Sequence, residues 1–443
     1  MEALFSYISL LPYLLFIIIV ISKKNIPVAL CSALFLACFF TSHIFIIKGF
    51  SINTLLALLT IYWLFKKKAF GTIKGNNIQT GYFKTVLFAI ILFVSNVCFC
   101  SVVTFDIKKA VLTTLSNLAP FIVAWGIVNF LNVKRDISFV LNVIMATAVI
   151  VSVYSIYCYF LGFNPFTIYV QTVLSTVEDY SESARGALIG RVQGFMSHPL
   201  HFAGTLLCTI FVTHTLYIRA QNRKTKILVA CIILLLFVTL VLTGSRSGVV
   251  GCVIGMGMFY SLLLGKKLPL FLFFCLIFVY LFGLDSYINE DKSSFTYAVI
   301  HFWEQNDDMG GSSVDLRIQQ FKGTVDMVFT DLLTMLFGKG TNWCFMYSLK
   351  NGAHPVLAGF ESVFIKWPIE YGIIGSFLFF YIIFIRPFLS VNSRCFDKHA
   401  RYLLACSLLS FFIFVAITGH YAIDMFVVTF ALMIQALRKS EFA

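Results

Sequence analysis

Apolar residues run in blocks of roughly 20, separated by short polar connectors, along nearly the whole chain. The blocks fall near 3 to 21, 26 to 47, 50 to 65, 85 to 104, 110 to 131, 138 to 160, 199 to 218, 227 to 243, 248 to 264, 268 to 284, 360 to 385, 402 to 418 and 424 to 437. Most are long enough to cross about 30 Å of hydrocarbon as a helix. A segment in lipid must satisfy its own backbone groups, so helices are the expected form. The predicted fold is therefore all-α, a polytopic transmembrane helix bundle of about 12 to 14 spans. The pattern divides the chain into N-terminal transmembrane helices (1–160), a first outer loop (161–198), transmembrane helices (199–284), a large outer loop (285–359) and C-terminal transmembrane helices (360–443). Neither a sequence repeat nor a soluble second domain emerges.

Composition agrees. Hydrophobic residues are 59% of the chain and charged residues 12%, against about 25% charged in a soluble domain. The net charge of +13 does not point to nucleic acid, because the basic residues form neither a patch nor a groove-tracking stripe. Most of the twelve cysteines sit inside apolar blocks and show no disulfide framework or metal-ligand spacing. The first block lacks a basic leader and a small-residue cleavage site, and reads as a retained helix.

Charge changes the picture by setting orientation, since Lys and Arg are retained on the cytoplasmic side. Alternate connectors hold 21 of the 33 basic residues against three acids, so one face is near +18 and the other near −5. The expectation is a cytoplasmic C-terminus, with the two longer loops on the opposite side. The larger loop far exceeds what a connection needs, which marks it as functional or disordered. It holds a helix-like stretch from Leu316 to Phe337, with Ile318, Phe321, Val325, Val328, Phe329 and Leu332 at helical spacing, Asp315 as a cap and Gly338 as the stop.

On a face where positive charge is scarce, three arginines stand out. Arg191 closes the first outer loop just before His198-Pro199, Arg246 sits in the turn Gly244-Ser245-Arg246-Ser247-Gly248, and Arg317 opens the helix-like stretch. A guanidinium is always charged and offers a rigid fork of donors suited to phosphate or carboxylate. Gly244 and Gly248 allow close backbone approach, and Ser245 and Ser247 add donors. The plainer reading pairs each arginine with a loop carboxylate or lets it snorkel to the interface.

A second cluster follows the large loop. His354-Pro355 precedes Glu361-Ser362, which lead into an apolar helix carrying Lys366 and Glu370-Tyr371-Gly372. Partial desolvation at a helix mouth raises a carboxyl pKa, so Glu361 suits a general base acting on a sugar hydroxyl. Lys366 and Glu370, four apart, pair across one helix face in the simplest reading. His354 reads equally well as a surface histidine. His420 and Asp424 read as interfacial groups, whereas His201 and His214 lie within one span, thirteen positions apart, on neighbouring faces at best.

These motifs resemble the bacterial O-antigen polymerase and ligase superfamily of membrane glycosyltransferases. The resemblance spans roughly residues 185 to 380 and rests on four features in order: Arg191 with Gly194-Phe195 and His198-Pro199; Leu242 to Gly248; Asp315-Leu316-Arg317 followed by Leu336-Phe337-Gly338-Lys339-Gly340; and Glu361-Ser362 followed by Gly372-Ile373-Ile374-Gly375. In the ligase branch the last motif usually begins with His, and polymerases more often carry an acid there. Glu361 thus lowers the ligase reading.

The resemblance implies transfer of a glycan from undecaprenyl pyrophosphate at the periplasmic face of the bacterial inner membrane, with no cofactor and no metal. Arg191 and Arg246 would hold the departing pyrophosphate and Glu361 would take the acceptor proton. Arg317, His354, Ser245 and Ser247 would bind pyrophosphate or glycan, and the large loop would close over them. Expected partners are the undecaprenyl-pyrophosphate-linked oligosaccharide and the lipid bilayer, with a chain-length regulator as a further candidate and no nucleic acid. A polymerase is the favoured activity. A ligase acting on lipid A core is the alternative, and a polysaccharide flippase the alternative of another class, disfavoured by the missing repeat and by charges gathered at one face.

Overall fold

The computed structural model describes residues 77–104, 107–131, 136–166, 191–196, 198–265, 314–351, 354, 356–357, 362–392 and 395–438, with a few isolated positions between 45 and 62. The described residues form helices almost throughout, and six are long and apolar enough to cross a membrane: Asp136–Leu161, Pro199–Arg219, Arg223–Leu242, Arg246–Leu263, Val363–Val391 and Lys398–Thr418. The chain is an integral membrane protein. The expected spans at 3 to 21 and 268 to 284 lie outside the described residues. At the junction of those expected at 26 to 47 and 50 to 65, β1 (Phe45–Ile47) and β2 (Phe50–Ser51) pair antiparallel.

In chain order the helices are α1 (Asn77–Thr104), α2 (Ile107–Phe130), α3 (Asp136–Leu161), α4 (Pro199–Arg219), α5 (Arg223–Leu242) and α6 (Arg246–Leu263). Then come α7 (Val314–Val328), α8 (Leu332–Phe337), α9 (Trp343–Asn351), α10 (Val363–Phe380), a π-helical turn (Tyr381–Ile385) and α11 (Arg386–Val391). Finally come α12 (Lys398–Thr418) and α13 (Ile423–Leu437).

The main core gathers α1, α2, α4, α10, α12 and α13. α6 packs along α12, α13 wedges between α2 and α4, and α4 lies on α5. Small residues let the backbones close in: a Cβ on Gly251 would stand 2.7 Å from the Ser410 carbonyl oxygen, and one on Gly255 would stand 2.7 Å from the Ser410 Cβ. Such contacts are how helices associate where lipid removes any hydrophobic drive. Threonines 205, 209 and 213 each return a hydroxyl to the carbonyl four residues back, which keeps α4 buried without orphaned oxygens.

Two sequence expectations are corrected here. The stretch from Leu316 to Phe337 is not one helix capped by Asp315. Helix α7 starts at Val314, before Asp315, and Asp331 breaks the stretch by capping α8, accepting from Thr334 N–H at 2.8 Å. Its apolar stripe does not face a core either. Ile318, Phe321, Val325, Phe329 and Leu332 are exposed, and only Val328 is buried. The buried face carries Gln320 and Thr324 instead, with Gln320 Nε2 donating to the Leu357 carbonyl at 3.4 Å.

The second correction is the helix expected from 360 to 385. It is broken at Gly372, whose φ of 65° and ψ of −172° interrupt the helical path, and it opens into the π-helical turn at Tyr381. Pro368, which lacks an N–H, lies one turn before the break.

Candidate active site at one end of the bundle

Arg191 is positioned by the two ends of the first polar loop. Asn164 accepts from the Tyr154 hydroxyl at 2.8 Å and donates to the Gly194 carbonyl at 2.7 Å, so the strand leaving α3 is tied to the one entering α4. Val192 N–H donates to the Leu242 carbonyl at 3.1 Å, and Val192 and Met196 are buried as plugs. This lays the Arg191 side chain over the α5–α6 turn. Its Nε donates to the Thr243 carbonyl at 3.0 Å and its Nη2 to the Gly244 carbonyl at 3.3 Å. Gly244 has φ +66°, and a Cβ there would stand 2.8 Å from Arg191 Nε, so only glycine lets the guanidinium lie this close.

Arg246 is the first residue of α6, two positions beyond that contact. Ser245 caps the helix, its Oγ accepting from Gly248 N–H at 3.2 Å and lying 3.3 Å from Ser247 Oγ. The Ser247 hydroxyl is hydrogen-bonded to Thr418 Oγ1 at the end of α12. A helix N-terminus carries a partial positive charge and favours anions. Arg246 opens the helix at that terminus and the Arg191 side chain lies across the turn just before it, both half-buried. Both serines, proposed from sequence as donors, also serve as structural pins.

The third strand of the site arrives from α10. Glu361 lies outside the described residues, but Ser362 directly follows it. Ser362 holds φ at 89°, a strained conformation for a side-chain-bearing residue, and its Oγ donates to the Ala416 carbonyl at 2.6 Å. The end of α12 therefore receives both Ser247 and Ser362. The turn that carries Arg246 and the residue that follows Glu361 in sequence thus share one anchor.

Beside them lies a cluster of titratable groups that sequence reasoning had set aside. Trp367 Nε1 donates to His420 Nδ1 at 2.8 Å, and the His420 ring stacks on Phe379 with centroids 5.5 Å apart. His420 sits in the loop between α12 and α13. Burial, followed by the influence of Lys366 and then of His201 nearby, holds its pKa well below the ordinary imidazole value. His201 Nε2 lies 3.9 Å from Asp424 Oδ1, and His198 caps α4 while stacking on Tyr421. The signal was present, since His198, His201, His420 and Asp424 all fall at span ends on the expected outer side. Only the fold brings them together.

The large loop is held by backbone as much as by side chains. Lys339 N–H donates to the Ile369 carbonyl at 2.7 Å and Gly340 N–H to the Glu370 carbonyl at 3.0 Å, so the carbonyls freed by the break in α10 are satisfied. Gly338 and Gly372 lie face to face. A Cβ on the first would meet the Glu370 carbonyl carbon at 2.5 Å, and one on the second the Leu336 carbonyl carbon at 2.4 Å. Asn96 of α1 completes the seam. Its Nδ2 donates to the carbonyls of Glu370 at 2.9 Å and Phe337 at 3.2 Å, while its Oδ1 accepts from Thr341 N–H at 2.7 Å and from the Thr341 hydroxyl. A small second core of Val328, Trp343, Cys344, Leu357, Ile365 and Ile369 lies beneath.

The simple Lys366–Glu370 pairing is modified. The two attract each other across the helix face, but the buried Glu370 carboxylate is engaged by the loop, its Oε1 accepting from Cys344 N–H at 3.2 Å. His354 accepts through Nδ1 from Leu357 N–H at 3.0 Å and Val356 N–H at 3.2 Å, and its ring lies 5.2 Å from that of Tyr347. That engages one ring nitrogen in shaping its own turn. Burial and then the Lys339 charge hold its pKa below the ordinary imidazole value. Arg317 lies in α7, which packs against α10.

Residues 231–380 match the family model described as O-antigen ligase. The match runs from within α5 to the end of α10, so it includes Ser245, Arg246, Ser247, Arg317, His354 and Glu361 and leaves Arg191 outside. No curated protein and no solved structure matches the chain.

Proposed function

We propose that this chain, which carries the domain of the O-antigen ligase and polymerase superfamily over residues 231–380, is a surface-polysaccharide polymerase acting on glycans linked to undecaprenyl pyrophosphate. The observation that carries the proposal is the seating of Arg191 across the Thr243 and Gly244 carbonyls, two residues from Arg246 and at the N-terminal end of α6.

In the proposed reaction a hydroxyl of the acceptor sugar attacks the anomeric carbon of the donor glycan. A new carbon–oxygen bond forms while the bond from that carbon to the pyrophosphate oxygen breaks, and the electron pair leaves with the diphosphate. Negative charge develops on that leaving oxygen, where Arg191, Arg246 and the α6 terminus are placed to stabilise it. Glu361 takes the hydroxyl proton. Arg317, on the segment joined to α10, would meet the glycan or the outer phosphate. The site faces the periplasm, because the basic residues at the opposite ends of the helices are those retained in the cytoplasm.

Glu361 in place of the ligase histidine favours polymerase over ligase. The test is the lipopolysaccharide banding of a strain lacking this chain. Lipid A core bearing one repeat unit is expected. Bare core would make the protein a ligase, and an unchanged ladder would remove both readings.

A further inference from the structure

Helix α7 has three distinct sides. Gln320, Thr324 and Val328 are buried on one, where Gln320 bonds the Leu357 carbonyl and Val328 joins the small core with Ile365 and Ile369 of α10. Gln319, Lys322 and Asp326 form an exposed polar side. Between the two, roughly a quarter turn from either at 3.6 residues per turn, runs the apolar stripe Ile318, Phe321, Val325 and Phe329. Leu332 and Leu333 of α8 extend it, and all six are between 40% and 67% exposed. A surface helix in water turns such a stripe to the core, whereas here the inward side holds Gln320 and Thr324.

The path of α10 says what lies against the stripe. The rings of Trp367 and Phe379 are 4.7 Å apart, although twelve positions cover about 18 Å along a straight helix. The chain therefore folds back at Gly372. The part before the break lies across the end of the bundle, where Ser362 is pinned to α12 and Trp367 to His420. Only the part after it runs along α1: Gly375 meets Leu92, Tyr381 lies edge-on to Phe88 at 5.8 Å, and Arg386 reaches Gly81. Gly372 thus marks where α10 enters the membrane, and Ile373, Ile374 and Phe377 just beyond it are exposed, which on a span means acyl chains. The end of α8 is fastened at that level, through Gly338 to Gly372 and through the Phe337 carbonyl to Asn96. Leu332 and Leu333 therefore stand within one short helix of the level where lipid begins.

We propose that α7 and α8 lie in the bilayer surface on the Arg246 side, with the stripe from Ile318 to Leu333 inserted among the acyl chains of that leaflet. An interfacial amphipathic helix buries its apolar side about 5–10 Å into the boundary between headgroups and chains. Lys322 and Asp326 keep to the water, and the buried polar side is satisfied by the rest of the loop. The described part of the large loop is then a platform resting on the membrane, not a domain held in solvent. This placement concerns the phospholipid bilayer alone and does not depend on the reaction proposed above.

The test puts the photoreactive residue p-benzoylphenylalanine in place of Phe321 or Leu333, and of Gln319 as the water-facing control, in the full chain in nanodiscs of phosphatidylglycerol and phosphatidylethanolamine. After irradiation, mass spectrometry reads what each probe has captured. The probes at Phe321 and Leu333 should carry phospholipid at several times the yield of the one at Gln319. If the Phe321 variant does not insert, Val325 takes its place. A doubled mass would show that a second copy covers the stripe, and a link to another segment of the same chain, found by peptide mapping, would show that the protein covers it itself. Either result in place of lipid would overturn the proposal, as would equal lipid capture at all positions or none at Phe321 and Leu333.

Discussion

Replacing Asn96 by alanine tests whether the large loop is locked to the bundle through α1. Asn96 is 3% exposed and makes four hydrogen bonds, two to Thr341 and one each to the carbonyls of Phe337 and Glu370. Each such bond contributes about 0.5–1.5 kcal/mol net. The Glu370 carbonyl keeps Gly340 N–H as a partner, which reduces the sum to about 3 kcal/mol, within the range for losing a buried network. Because the loop can open without the whole bundle unfolding, the loss should show locally. At about 1.4 kcal/mol per factor of ten, the amides of Lys339, Gly340 and Thr341 should exchange with deuterium roughly a hundredfold faster in Asn96→Ala. The assay is hydrogen exchange of the full chain in nanodiscs, read on peptides covering residues 338–345. Asn96→Asp keeps the acceptor for Thr341 but faces two carbonyls with a third oxygen, so it should release the seam too. If both variants protect the Thr341 amide as the unaltered chain does, Asn96 is not the staple.

Other outcomes follow from the same geometry. Gly372→Ala should destabilise more than Asn96→Ala, since its φ of 65° alone costs about 1–2 kcal/mol and its Cβ would meet the Leu336 backbone at 2.4 Å; an unchanged unfolding midpoint would contradict the face-to-face glycine contact. Arg246→Ala and Arg191→Ala should each abolish chain extension while the protein still inserts, and Arg246→Lys should recover only part of it because an ammonium lacks the fork; normal polymer ladders would take both arginines out of the mechanism. For His420, burial, Lys366 and His201 oppose protonation in the folded state, whereas an unfolded imidazole takes its proton near ~6.5. Stability should therefore fall as pH drops from about 7 through that value, and His420→Gln should flatten that part of the profile; equal slopes would refute the assignment.

The membrane-spanning helices were legible because lipid leaves the backbone few choices, and apolar length alone marks them. The expected blocks at 138 to 160, 199 to 218 and 402 to 418 reappear within a few residues as α3, α4 and α12. The neighbourhood of Arg191 and Arg246 was legible only as an ordered pair of motifs. No local rule says that Arg191, 53 positions earlier, donates to the carbonyl of Gly244. Asn96 carried no signal, because one amide in an apolar run reads as tolerated polarity. The break at Gly372 was hidden because glycine is common in membrane helices, and what makes this one a break is the opposing backbone of Leu336 and Phe337. The stripe on α7 misled for a different reason. Helical spacing identifies an apolar face but not its destination, and in a membrane protein that face need not turn inward.

The contact between Gly338 and Gly372 contains no side chains, and this fixes how motion travels through the protein. With no rotamers to absorb strain, a displacement of the Leu336–Gly340 segment passes undamped to the lower half of α10, so the two behave as a single rigid lever. Any movement of the segments around this contact must then pivot outside it, and the short connector Phe329–Thr330–Asp331 separates α7 from the rigid part.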